Sequence, residues 1–332
     1  MPGKAARREL GRGERVVPGV WRLRLPLPVA GVPHCNAWAV AAADGIVLVD
    51  CGLHEPGSLA HLERALDMVG LRLEQVRLLV CTHAHADHYG QAATVLERTG
   101  CELWMHPDHA HMTAAAADPE AWLAQRVEIA RSSGVPEAAL RHEADVRRER
   151  GFGLAGIVLP DRPLVDGTVV DTDLGPWRVV ETPGHAPSHV CLFQPERRLL
   201  ISGDHVLGRV SLYFDRAGRD PVGEYLRSLD RVDELDARLA LAGHGRTFTD
   251  VRGHVAASRA LASERLERAR RAVVRDGPIT AFDAVPRVHR EETVTEATVA
   301  WWLAETLCYL RHLELSGEVV RVPGAPERWA AS

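Results

Sequence analysis

The chain has 332 residues, 46% of them hydrophobic and 26% charged, which is room for about two globular domains and excludes a disordered polymer. With a formal net charge of −5 a polyanion meets no overall attraction, and Lys4 is the only lysine among 40 basic residues, a pattern of genomic base composition more than of nucleic-acid binding. No run approaches eighteen apolar residues, so a membrane-spanning helix is excluded, and the stretch from Met1 to Arg15 lacks the apolar core of a secretion signal.

Six cysteines stand at positions 35, 51, 81, 101, 191 and 308 with no C-x-x-C pair. They read as reduced, mostly buried thiols, and the expected location is the cytoplasm.

In chain order, Val20 to Leu25, Trp38 to Val40 and Ile46 to Val49 are short apolar or alternating runs bounded by Pro, Gly and Asp, the pattern of strands. Pro56 is expected to open a helix whose stripe is Leu59, Leu62, Leu66 and Val69, with Gly70 stopping it. Val76 to Cys81 is an apolar run of strand length broken only by Arg77, and Glu102 to Met105 is another strand beyond a helical segment that ends at Arg98. From about 106 to 156 the pattern is helical and rich in Ala, Arg and Glu, closing on Gly151-Phe152-Gly153-Leu154-Ala155-Gly156, which reads as a hinge or loop. A long insertion of this kind beside a site reads as a lid. Strands return at Trp177 to Glu181, Cys191 to Phe193, Leu199 to Ser202 and Leu239 to Ala242. Ala257 to Val274 and Thr295 to Ser316 then read as long helices, the second capped by Gly317, and Val319 to Val322 as a short strand.

The chemistry lies where apolar runs end. His83, His85, Asp87 and His88 place four metal-ligand side chains within six residues. His185, in Pro183-Gly184-His185, Asp204, in Ser202-Gly203-Asp204-His205, and His244, in Gly243-His244-Gly245, follow later strands and have small or turn-forming neighbours. Seven nitrogen and oxygen donors without a cysteine suit two zinc ions, with iron or manganese also compatible.

The order of these pieces, beginning with Val49-Asp50-Cys51-Gly52 and ending on Gly243-His244-Gly245, resembles the metallo-β-lactamase-fold hydrolases, including the glyoxalase II-like members, over roughly residues 20 to 250. The resemblance implies that His83, His85 and His185 hold one metal, that Asp87, His88 and His244 hold the second, and that Asp204 bridges them. Asp50 would fix the loop that carries the ligands. Two such cations, about 3.5–4 Å apart, lower the pKa of a shared water, and the resulting hydroxide attacks an ester, thioester or phosphodiester. Asp87 is the expected catalytic carboxylate, orienting that hydroxide or moving its proton. His106, His109 and His111 are expected at the surface or in capping roles, while His189 and His205 are expected either to support ligands or to touch substrate.

The last eighty residues resemble the winged-helix tail of the β-lactamase-like hydrolases that include a mitochondrial single-strand endoribonuclease. The expected architecture is therefore α/β: an αββα sandwich of two mixed sheets over 1–252, followed by a small winged-helix-like domain over 253–332. Arg259, Arg265, Arg268, Arg270, Arg271 and Arg275 form either a phosphate-binding stripe or a solvated face paired with Glu264 and Glu267. Trp301 and Trp302 are expected to pack the small domain's core. The reading that follows is a dinuclear zinc hydrolase of a small-molecule ester or thioester, an acyl thioester or lactone among them. Single-strand RNA cleavage is the alternative and a non-catalytic winged-helix binding protein a third. The oligomeric state, a homodimer included, stays open.

Overall fold

Alternating apolar residues become two sheets with a dry layer between them. The computed structural model describes residues 10–29, 31–141, 145, 151–290 and 299–332. The first sheet has seven strands in chain order: β1 (Arg12–Val17), β2 (Val20–Val29), β3 (Val32–Ala42), β4 (Gly45–Val49), β5 (Val76–Val80), β6 (Glu102–Met105) and β7 (Arg162–Pro163). Its first three pairings are antiparallel and the rest parallel. The second sheet runs β12 (Leu239–Ala242), β11 (Leu199–Gly203), β10 (Val190–Gln194), β9 (Trp177–Glu181), β8 (Val169–Val170), with only β11 and β12 parallel. Both sheets are mixed, as expected.

Period-two alternation sorts each strand between two cores. Val47 and Val49 of β4 and Leu78 and Val80 of β5 face the second sheet, where they meet Val179, Leu192, Ile201 and Leu241. Ile46, Leu48 and Leu79 face outward and are covered by Leu62, Leu66 and Val95 of helices α1 (Ser58–Asp67) and α3 (Ala92–Thr99). Because β4 is buried on both faces it reads as a continuous apolar run, and β5 is buried likewise except at the exposed Arg77. Helix α1 begins at Ser58, two residues beyond the expected Pro56, because Gly57 takes a left-handed φ of 92° that a helix cannot contain.

The outer face of the second sheet carries the third core. Phe193, Leu200 and Ala240 pack with Val222, Tyr225 and Leu229 of α6 (Pro221–Glu234), Val255 and Ala262 of α7 (Val251–Asp276), Val285 of α8 (Ala281–His289) and Leu310 of α9 (Val299–Leu315). Trp329, from the hairpin β13 (Val319–Val322) and β14 (Arg328–Ala331), closes it. The expected boundary at 252/253 falls in the first turn of α7, and both Val251 and Val255 are buried in this shared core. The insertion, helices α4 (Ala110–Ala117) and α5 (Pro119–Ser132), joins the same core through Ala130, Val135 and Leu140. Backbone bonds from Glu327 to Ser132 and from Phe282 to Ser133 fasten it to the C-terminal segment. Gly151 to Gly156 is likewise anchored: Gly153 accepts from the His54 N–H and Ala155 donates to Gly90.

The six stripe arginines of α7 all have carboxylate partners: Arg259 with Asp230, Arg265 with Glu305, Arg268 with Glu264, Arg270 and Arg271 with Glu267, and Arg275 with Asp276. The charge-paired face is the arrangement the structure contains. Trp302 packs against the core as expected, but Trp301 does not: it is 40% exposed and lies on Tyr213.

Candidate metal centre

Strand ends deliver the donors. His83 follows β5 by three residues, and the four-residue helix α2 (Ala86–Tyr89) carries Asp87 and His88. His185, Asp204 and His244 follow β9, β11 and β12, which run in one direction within their sheet. These irregular loops can be buried because their backbone groups are paired, Asn36 N–H with Gly243 O and Gly243 N–H with Gly203 O among them. Gly243 is required by space, since a Cβ there would lie 2.2 Å from Asp204 Oδ1.

All seven donors expected from sequence meet at one point. His83, His85 and His185 form one group with donor atoms within 4.8 Å of one another, and Asp87, His88 and His244 form another. Asp204 stands between them, with Oδ2 3.1 Å from His244 Nε2 and 3.8 Å from His185 Nε2, and Oδ1 3.5 Å from His88 Nε2.

The surrounding hydrogen bonds leave one ring nitrogen of each histidine facing inward. Asp50 accepts from the Thr82 N–H at 2.7 Å, the Thr82 hydroxyl at 2.9 Å and His88 Nδ1 at 2.8 Å. With its own proton given to Asp50, the Thr82 hydroxyl accepts from His83 Nδ1 at 3.0 Å. His185 Nδ1 donates to Tyr213 O at 3.1 Å and His244 Nδ1 to His34 O at 3.0 Å. His83 Nε2, His88 Nε2 and Asp204 Oδ1 are then buried with no hydrogen-bond partner among the described residues. Orphaned polar atoms are costly unless something binds there. A divalent cation supplies that partner, and His/Asp donors suit it, so the residues fit a metal. Asp50 achieves its three contacts at a φ of 63°, a conformation that costs a non-glycine residue about 1–3 kcal/mol and gathers at functional sites.

Charge reinforces the same picture. Burial pushes the Asp204 carboxyl up, but His244 and His88 outweigh it and hold it well below the usual range. For Asp87 burial is again overcome, by His88 and His244. Burial pushes the His244 imidazole down, yet Asp204 and Asp87 carry it up to about 10. His88 is raised in the same way, by Asp204, Asp87 and Asp50 against burial. His83 and His185 go the other way, pushed down by burial and by neighbouring imidazoles, His185 to about 4.

His189 supports the centre, its Nε2 accepting the Asp204 N–H at 3.0 Å. His205 is buried with its ring against Tyr225. Of the other histidine cluster, His106 accepts from the Asp108 N–H and pairs with Glu181, and His109 contacts Thr113, both local roles. His111 departs from its expected surface role. Its Nδ1 lies 2.8 Å from Asp215 Oδ2, its Nε2 2.8 Å from Ser188 Oγ, and the same Asp215 oxygen is 3.4 Å from His85 Nε2. His85 therefore turns Nδ1 inward, 2.9 Å from His185 Nε2, and rests its other nitrogen on a carboxylate. Asp215 belongs to no motif, so its only signal in the sequence is an acid between two aromatics and an arginine, in Tyr213-Phe214-Asp215-Arg216.

The family model of the metallo-beta-lactamase superfamily matches residues 30–244. A Bacillus subtilis protein named "Probable metallo-hydrolase YqjP" is 28% identical over 305 residues, 88% of this chain and 91% of its own length. The crystal structure of a beta-lactamase domain protein from Burkholderia ambifaria superposes with a TM-score of 0.83 at 31% identity, covering 96% of this chain and 94% of that one. An atrochrysone carboxyl ACP thioesterase from Aspergillus fumigatus is 32% identical over 92 residues, 28% of each chain. The match spans β3 to the closing Gly243-His244-Gly245, the region that carries every donor described above, and the chain belongs to the metallo-beta-lactamase superfamily of hydrolases.

Proposed function

We propose that the protein hydrolyses a carboxylic ester or thioester of a small molecule at a centre of two divalent cations, with zinc as the resident metal. The observation that carries this reading is the convergence of His83, His85 and His185 on one side and Asp87, His88 and His244 on the other, with Asp204 in contact with both. Bound there, divalent cations bring the pKa of a coordinated water toward neutrality and polarise the scissile carbonyl.

The chain's own residues supply positioning and proton handling. Asp87 is the most exposed carboxylate of the set, with a side-chain exposure of 26% against 10% for Asp204, and it is held ionised by His88 and His244. It orients the attacking water and takes up its proton. Asp50, Thr82 and Asp215 hold the imidazoles in the tautomers that present Nε2 of His83 and His88 and Nδ1 of His85.

Acyl chemistry is preferred over phosphodiester cleavage because the stripe arginines of α7 are engaged with interleaved carboxylates, and because one relative is named as an atrochrysone carboxyl ACP thioesterase. The test is a panel of acyl thioesters, lactones and labelled single-stranded RNA offered to the zinc-loaded protein, with Asp204→Ala as the blank. Acyl hydrolysis absent from the variant is the expected result. RNA cleavage lost in Asp204→Ala, with every acyl substrate untouched, overturns it.

A further inference from the structure

The segment after Tyr213 leads away from the ligands into a place where three elements meet. Tyr213 is bound to the centre by its carbonyl, and its ring lies 5.7 Å from His185 and 5.9 Å from His85. On its other side the exposed Trp301 of α9 stacks at 4.7 Å. Three residues on, Arg216 has a φ of 68°, and its Nε is closed off from solvent without a hydrogen-bond partner. Its guanidinium makes no hydrogen bond or ion pair among the described residues, and Cys308 of α9 is one of its electrostatic neighbours. Burial, and next the guanidinium of Arg126, hold Arg216 below the usual arginine range. Arg126 comes from α5 of the insertion and lies over the Trp122 ring at 4.8 Å.

This arrangement is unfavourable as pure architecture. Closing the Arg216 Nε off from water without an acceptor among the described residues costs free energy, the Arg126 guanidinium nearby adds repulsion, and the left-handed backbone costs about 1–3 kcal/mol more. A planar fork of donors with no acceptor is matched by a carboxylate or a phosphate, which it binds with two parallel charged hydrogen bonds. Tyr213 precedes Arg216 by three residues, and both its phenol and the Asp215 carboxylate are near enough to act electrostatically on the Arg216 guanidinium, which places the fork beside the aromatic pair next to the donors.

We propose that Arg216, backed by Arg126, is an anion subsite for a carboxylate or phosphate carried by the substrate, with Tyr213 and Trp301 covering the apolar stretch between that anion and the reacting carbonyl. The inference rests on the acyl-hydrolase reading for the identity of the reacting group, but not for the binding of the anion. The substrate class is thus an anionic acyl ester or thioester, the charge lying either on the acyl chain or on the thiol carrier.

Binding and turnover test it separately in the zinc-loaded wild type, Arg216→Met and the charge-keeping Arg216→Lys. By calorimetry, 2-naphthalenesulfonate, a poor metal ligand, is expected to bind the wild type about tenfold or more tighter than neutral 2-acetylnaphthalene. Arg216→Met should lose that preference and Arg216→Lys keep part of it, with the neutral compound unchanged in both. Turnover of a glutaryl thioester against its methyl ester, and of an acyl phosphopantetheine against the acyl pantetheine, shows which end carries the charge, as a KM difference that disappears in Arg216→Met. Equal sulfonate binding in wild type and Arg216→Met, or no preference for the anion in the wild type, overturns the subsite, and the wild-type comparison decides the matter should Arg216→Met fail to fold. Sulfonate binding that depends on Arg216, with no thioester hydrolysed, upholds the subsite and overturns the acyl-hydrolase reading instead.

Discussion

Asp215 illustrates what a single carboxylate does at this centre. Its Oδ2 is shared between His111 at 2.8 Å and His85 at 3.4 Å, so it fixes the ring of a ligand and is itself fixed by a second imidazole. Partners of this kind are worth about 10–100-fold in metal affinity, so Asp215→Ala is expected to weaken zinc retention by that factor, read by competition with a chromogenic chelator, while leaving the fold intact. Asp87→Asn is expected to do both, weakening the zinc held with His88 and His244 and lowering kcat by about 10²–10⁴-fold even at saturating zinc. Protons compete for the same sites. The carboxylates of Asp204 and Asp87 favour the protonated form of His244, held up to about 10, and of His88, also raised, and each imidazole must lose that proton to ligate. Zinc affinity is therefore expected to fall as pH drops from 8 to 6, by about tenfold to a hundredfold per unit, in chelator titrations at fixed ionic strength.

At the scale of elements, the C-terminal helices bury a polar pair that nothing in the metal centre needs. Burial, and then Arg265, hold His289 down at about 3, while its Nε2 meets the Thr306 hydroxyl at 3.1 Å. Its unfolded counterpart titrates near 6.5, so the unfolded chain takes up the proton first as pH falls. This contribution to stability is full above about pH 6.5 and is lost progressively toward pH 3, amounting to about 3 kcal/mol by pH 4. His289→Gln should flatten that slope in urea unfolding at pH 4.5 and 7. The strand Ile46 to Val49 was legible in the sequence because burial on both faces makes it an uninterrupted apolar run, Val76 to Val80 because only Arg77 breaks its run, and the donors because they follow the ends of strands. The start of α1 was not, since Pro56 signals a helix whichever conformation Gly57 takes. His111 and Asp215 were hidden for another reason: their meeting depends on the insertion folding back over β9 and β10, a contact between residues 104 apart in sequence. Trp301 was misjudged because its apolar neighbours Leu303 and Leu307 mark α9 as a core helix without saying which side of it faces Tyr213.

For the molecule as a whole, the C-terminal segment and the catalytic sandwich share one apolar core. Removing 253–332 strips Phe193, Leu200 and Ala240 of their cover from α7, α8 and α9, and each large side chain uncovered costs about 1.5–3 kcal/mol. A chain ending at residue 252 is therefore expected to be insoluble or to melt far below the full chain in a thermal scan. Among the described residues no helix is long and apolar enough to cross a membrane. The central claim, that seven side chains hold two cations for one hydrolytic reaction, is tested most directly by adding zinc stepwise to metal-free protein while following acyl thioester hydrolysis. Activity that rises until two equivalents are bound and then levels off is the predicted result. Saturation at one equivalent, or hydrolysis that does not depend on zinc, would contradict it.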